Sequence, residues 1–173
     1  MTGDQPGRVV VGVDNTLSGL QALRRAVAEA RARGVPLQAV RAWTPASASV
    51  YPMVPNPREA EVAAASQLVT TAFADTLGGL PIDVEVETLL VPDAPGPALV
   101  RYAARDDDLL VVGTGRRGFW RRMSRTARYC LGRAACPVLV VPPPPLARDG
   151  SPRTLLRELR RELDQFAGDG PGS

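Results

Sequence analysis

Apolar residues along the chain fall into two kinds of pattern, short unbroken runs and longer stretches at helical spacing, and the two alternate. Arg8 to Asp14 is a β-branched run without polar alternation, as expected of a strand covered on both faces. After the turn and capping residues Asn15, Thr16 and Ser18, the residues Leu17, Leu20, Leu23, Val27 and Ala30 recur at helical spacing until Gly34 closes the helix. Leu37 to Trp43 is a second strand, and Thr44 to Pro57, interrupted by Pro45, Pro52 and Pro55, reads as a long exposed loop. Arg58 to Leu77 is helical, with Val62, Ala65, Leu68, Val69, Ala72 and Phe73 on one broad face, and Gly78-Gly79 ends it. Ile82 to Val91 alternates in part, which predicts a half-exposed strand near a sheet edge. Pro95 or Pro97 opens a short helix reaching Ala103 or Ala104. Leu109 to Val112 is a buried strand, Arg125 to Ala134 a helix, and Val138 to Val141 the last strand.

Strands alternating with helices in this way predict an α/β fold, a parallel sheet joined by right-handed crossovers with helices on both faces. In a chain of 173 residues this accounts for 8–142 as one domain. Residues 1–7 are expected to be a disordered N-terminus and 143–153 a Pro-rich linker. Residues 154–166 read as an amphipathic helix whose Leu155, Leu156, Leu159, Leu163 and Phe166 share a face, and 167–173 as a disordered tail.

Composition narrows the chemistry by what is missing. There is no His, which removes Ser-His-Asp and Cys-His nucleophiles and most catalytic zinc sites. There is no Lys either, so all 21 positive charges are Arg, and a Lys-dependent phosphate loop is excluded. Gly113-x4-Gly118 accordingly fails as such a loop, since Phe119-Trp120 follows it. Cys130 and Cys136 lack companion ligands and read as two buried thiols. Trp43 and Trp120 read as packing or lid residues, and Asp106-Asp107-Asp108 as a solvated charge run. No apolar run is long enough to span a bilayer and no signal-peptide core stands at the N-terminus, so a cytoplasmic address without membrane contact is expected.

The net charge of +3 hides a segregation: residues 109–148 carry 8 Arg and no acid, against 9 Arg and 13 acids in residues 1–108. Such a patch attracts anions. In an open parallel sheet, ligands bind beyond the carboxyl ends of the strands where the strand order reverses. Two strand ends are chemically marked, Val13-Asp14-Asn15-Thr16 and Gly113-Thr114-Gly115-Arg116-Arg117-Gly118. A glycine-bearing strand-to-helix turn offers backbone N–H groups to phosphate, and an Asp opposite it can accept from a sugar hydroxyl. The same glycines also serve tight turns for geometric reasons alone.

Val9 to Asp14, the helix with Ala22-Leu23 and Ala26-Val27, Asp108 to Thr114, and Ala135-Cys136-Pro137-Val138 to Pro142 together resemble the universal stress protein family, over about 135 residues in the right order. The resemblance to this UspA-like domain implies a Rossmann-like three-layer sandwich, similar to the adenine nucleotide alpha hydrolases, with a five-stranded parallel sheet of order 3-2-1-4-5. It implies a homodimer through the last strand, Val138 to Val141, and in one branch ATP binding. Asp14 matches the first-strand Asp beside the nucleoside, and Val40 the second-strand position whose backbone reads adenine.

The ATP-binding branch carries Gly-x2-Gly-x9-Gly followed by Ser or Thr. Gly113, Gly115 and Ser124 occupy those positions with one residue deleted from each interval, and Ser124-Arg125 replaces Gly-Ser. Arg116, Arg117, Arg121, Arg122 and Arg125 are then expected to bind phosphate by side chain, beside the hydroxyl of Ser124. The site expected from the sequence is Asp14, Asn15, Thr16, Val40, Gly113, Thr114, Gly115, Arg116, Arg117, Gly118, Ser124 and Arg125, holding ATP, with Mg²⁺ if bound. The function expected is a regulatory module with no catalytic constellation, at most hydrolysing ATP slowly and incidentally. The alternatives are a dimeric interaction module that binds no nucleotide but engages a regulatory protein, or an Arg-patch polyanion binder, with nucleic acid not the expected partner.

Overall fold

A computed structural model describes residues 7–45, 57–115 and 123–144. Its elements in chain order are β1 (Val9–Gly12), α1 (Leu17–Arg33), β2 (Leu37–Ala42), α2 (Pro57–Leu77), β3 (Val86–Val91), α3 (Pro95–Tyr102), β4 (Leu109–Gly113), α4 (Arg125–Arg133) and β5 (Val138–Val141). The five strands form one parallel sheet in the order β3-β2-β1-β4-β5. The predicted α/β architecture and its 3-2-1-4-5 order are therefore those of the protein. The strand order reverses between β1 and β4, and the crevice outside their carboxyl ends is where such a sheet accepts a ligand.

Side chains alternate across the sheet, so the unbroken valine run of β1 feeds two cores. Val9 and Val11 pack with Leu23, Val27, Leu37, Phe73 and Val111 under α1 and α2. Val10 packs with Val40, Leu99, Leu110, Ala127 and Cys130 under α3 and α4. The helix α1 starts at Thr16, whose hydroxyl accepts from Gly19 N at 3.0 Å, and stops at Gly34 in the left-handed conformation (φ 64). No helix among the described residues is long and apolar enough to cross a membrane.

Three expectations need correction. The third strand runs from Val86, not Ile82. Its partner β2 begins at Leu37, whose N–H bonds Glu85 O at 2.8 Å, and Val35, the next residue back on the β3 side, gives its N–H to Ala30 O at 3.1 Å at the end of α1 instead of extending the ladder. Asp83 turns away to an ion pair with Arg31, and Ile82 is fully exposed. Leu17 and Val62 fit the helical spacing but lie at the margins of their stripes, and both are exposed.

The acidic triplet is not a uniformly solvated run either. Asp108 is completely buried: it accepts from Arg8 N and Arg105 N, each at 3.2 Å, and lies 3.5 Å from Arg8 Nε. It ties the start of β1 to the start of β4, and hydrogen-bonded partners offset the cost of burying its charge. The N-terminus before Gly7, most of the proline-rich loop, Trp120 and Arg116, Arg117, Gly118, Arg121 and Arg122 lie outside the described residues. So do nearly all of the linker, the expected helix 154–166 and the tail.

At the opposite end, β4 meets α1 with no side chain between them. A Cβ on Gly113 would stand 2.7 Å from Ser18 C and 2.8 Å from Gly19 N, both backbone atoms that cannot yield cheaply. We expect Gly113→Ala to destabilise the fold by about 1–3 kcal/mol through overpacking, measured by urea unfolding; an unchanged midpoint would show that the two elements separate without cost.

Cys130 and Cys136 are both buried and unbridged, as the sequence predicted. Burial pushes the Cys130 thiol up to about 11, with the neighbouring Cys136 adding to the rise. A thiol raised in the folded state stays protonated after its unfolded counterpart ionises. The stability it contributes is present below pH 9.0 and lost as pH climbs to about 11. Both thiols should resist a maleimide at pH 7 in the native protein and react in denaturant; rapid native labelling would contradict their burial.

Candidate functional site

The carboxyl ends of β1, β2 and β4 and the starts of α3 and α4 enclose a cleft of about 240 Å³. Of the residues expected from sequence, Asp14, Thr16, Val40, Gly113, Gly115 and Ser124 line it. Asn15 turns instead to a depression between α1 and α2, Thr114 is buried beneath the turn, and Arg125 is exposed outside the lining. Arg41, Ala42, Pro95, Leu99, Val112 and Thr126 also line the cleft and were not singled out from the sequence. Among the described lining residues Asp14 is the only carboxylate and Arg41 the only cation.

Asp14 leaves β1 and folds back over the first turn of α1. Its Oδ1 accepts from Thr16 N at 2.8 Å and from Thr16 Oγ1 at 2.6 Å. Among the described residues Oδ2 has no hydrogen-bond donor and remains an acceptor for a ligand. Gly19 makes this possible, since a Cβ there would overlap the carboxylate. Thr16 therefore does two things at once: it caps α1 and fixes the rotamer of Asp14.

Ser18 anchors the glycine turn. Its Oγ accepts from Gly115 N at 2.9 Å and donates to Gly115 O at 3.2 Å. The far end of the loop returns to the same place, because Ser124 N donates to Thr114 O at 2.9 Å while Thr114 N donates to Val141 O at 3.0 Å. Gly115 is required twice over: its φ is +91, and a Cβ there would lie 2.8 Å from Ser124 Cβ. Ser124 caps α4 by accepting from Ala127 N at 3.1 Å, so its hydroxyl proton is free to point outward. The glycine turn does not present the N–H groups expected of it, since those of Thr114, Gly115 and Ser124 are all spent internally; the positive end of α4, at Arg125 and Thr126, makes the anion-favouring corner.

At the β2 wall, backbone hydrogen bonding decides which groups a ligand meets. In a parallel pair a residue turns its N–H and C=O to the same neighbouring strand, and successive residues turn to opposite sides. Val40 faces β1, and its carbonyl is taken by Val13 N at 2.9 Å. Trp43 faces β3 and bonds Val91 O at 3.1 Å. Ala42 faces the β1 side, two residues beyond the last β1–β2 pair, Gly12 with Val40. Its N–H and C=O have no backbone partner among the described residues, since Val13 O accepts from Arg41 Nη1 at 3.3 Å instead. The second-strand backbone that a base can meet is thus that of Ala42; Val40 supplies its side chain to the floor. Trp43 packs toward α2, its Nε1 donating to Glu61 Oε2 at 3.1 Å.

Comparison with known proteins places these features in a family. The model of the universal stress protein family matches residues 6–142. A universal stress protein of Mycobacterium tuberculosis (strain H37Rv) is 32% identical over 151 residues, 85% of this chain and 53% of its own length. The chain spans about half the length of the curated relatives it matches. Universal stress protein UspA from Lactobacillus plantarum shares the fold with a TM-score of 0.62 at 20% identity, covering 79% of this chain and 98% of its own. A universal stress protein solved in complex with cAMP has a TM-score of 0.52 at 27% identity and covers 81% of this chain and 99% of its own. With the family match running from before β1 to the end of β5, the chain belongs to the universal stress protein family.

Proposed function

We propose that the cleft binds an adenine nucleotide, ATP in the first instance, and that the domain is a nucleotide-responsive regulatory module. The observation that carries this reading is the convergence of three complementary groups in one cleft. The unpaired backbone of Ala42 offers one donor and one acceptor to the edge of a base. Asp14 Oδ2 offers an acceptor to ribose, and the first turn of α4, where the N–H groups of Arg125 and Thr126 have no acceptor among the described residues, offers donors to phosphate, while the N–H of Gly115 itself is spent on Ser18. The cAMP held by one relative supports adenine as the base. For Mg²⁺ arriving with ATP, Asp14 is the only carboxylate in the described lining, so phosphate oxygens and water would provide most of its ligands.

The edge strand β5 supports the proposed homodimer. Its residues Val138 to Val141 are all partly exposed, and among the described residues no strand pairs with its outer edge. Antiparallel pairing with a second β5 about a two-fold axis satisfies those backbone groups and closes the interface. Sedimentation equilibrium at micromolar concentration is expected to give twice 18.4 kDa, and a monomer mass would defeat the dimer.

For the ligand, millimolar ATP, AMP and cAMP should be compared by thermal denaturation. At least one is expected to raise Tm, and Asp14→Ala is expected to abolish the shift by removing the ribose acceptor. Failure of all three nucleotides to move the wild-type melt would overturn nucleotide binding and leave the dimeric interaction module as the better reading.

A further inference from the structure

Arg41 stands where a hydrogen-bond ladder ought to continue. After Val13 N to Val40 O, the next rung between β1 and β2 would run from Ala42 N to Val13 O. That rung is missing, and Val13 O accepts from Arg41 Nη1 at 3.3 Å instead. Among the described residues the guanidinium has no carboxylate within ion-pair distance, and its Nε is buried without a hydrogen-bond partner. Asp14, next along β1, is turned away by its two bonds from Thr16. Arg41 is therefore committed to the Val13 carbonyl rather than to a charge partner.

The consequence falls on Ala42, which is almost fully buried and yet has an unpaired N–H. A buried, orphaned amide is costly and rare, and Val13 O is the acceptor its strand would ordinarily find. We propose that Arg41 is a positioning residue: by occupying the Val13 carbonyl it stops β2 from zipping one residue further onto β1, and so keeps the Ala42 amide open to the ligand base. The role of the amide rests on the nucleotide reading above, whereas the competition between Arg41 and Ala42 for Val13 O does not. Arg41→Leu removes the competing donor, and the ladder then closes. Arg41→Lys keeps a cationic donor of similar reach and preserves the opening.

The test uses the full chain and two independent readouts. The first is the through-hydrogen-bond scalar coupling between Ala42 N and Val13 C′ in the ligand-free protein, measured by NMR. It is expected to be absent in the wild type and in Arg41→Lys and present in Arg41→Leu. Its presence in the wild type, or its absence in a folded Arg41→Leu, overturns the proposal; the wild-type measurement stands even if Arg41→Leu does not fold.

The second readout is binding of adenosine and, separately, of inorganic pyrophosphate. Arg41→Leu is expected to weaken adenosine by about tenfold, the worth of one hydrogen bond, with pyrophosphate unchanged and Arg41→Lys close to wild type. Equal losses for both ligands would show a structural role only and reject the positioning role. If wild-type protein binds no adenosine, the nucleotide reading fails and the coupling alone decides whether Arg41 holds the rung open.

Discussion

The cleft depends on how closely two backbones approach at the carboxyl end of β4. With no Cβ on Gly113, the chain leaves β4 directly against Ser18 and Gly19 at the start of α1. That contact brings the Ser18 hydroxyl within reach of both backbone groups of Gly115 and sets the turn from which the chain returns to Ser124. Gly19 in turn lets Asp14 fold over the same helix end. Two glycines and two hydroxyls thus tie together the ends of β1 and β4, which have no covalent reason to stay in register once the strands stop. The anion-favouring corner and the open carboxylate oxygen of Asp14 are by-products of one packing solution.

Much of this was legible in the sequence because it follows from local rules. The valine run of β1, the glycine after α1 and the prolines opening α3 each mark an element by its own chemistry. Asp14, Gly113 and Gly115 were expected at the cleft because ligands of a parallel sheet bind beyond strand ends, and Ser124 because the resemblance placed it at the glycine motif; all four line it. What escaped was decided between elements. The start of β3 depends on Val35, whose N–H is taken by the end of α1, and Asp108 is buried because Arg8, a hundred residues earlier, lies beside it.

Ala42 and Arg41 illustrate the same limit at the site. Neither has a composition signal, because an alanine and an arginine at the end of an apolar run are unremarkable. Their importance comes from β1 leaving the ladder two residues before β2 does, which only the register reveals. Along β2 the side chains of Val40 and Ala42 both line the cleft, but the backbone of Val40 is spent on Val13 and that of Ala42 is not. A residue-type argument cannot separate them; a hydrogen-bond count does.

The buried Asp108 gives the central strand pair a direction. At the amino end, Arg8 and Asp108 join β1 to β4 by an ion pair and a hydrogen bond to backbone, and Leu109 N adds a further bond to Arg8 O at 2.9 Å. At the carboxyl end the strands are linked through the buried Ser18 hydroxyl and a glycine turn, without an ion pair. The pair is thus fastened at both ends, by a buried charge at one and by close backbone packing at the other. A molecule seated in the cleft therefore rests on strand ends whose spacing is set by a glycine contact and a hydroxyl bridge, not by the molecule itself.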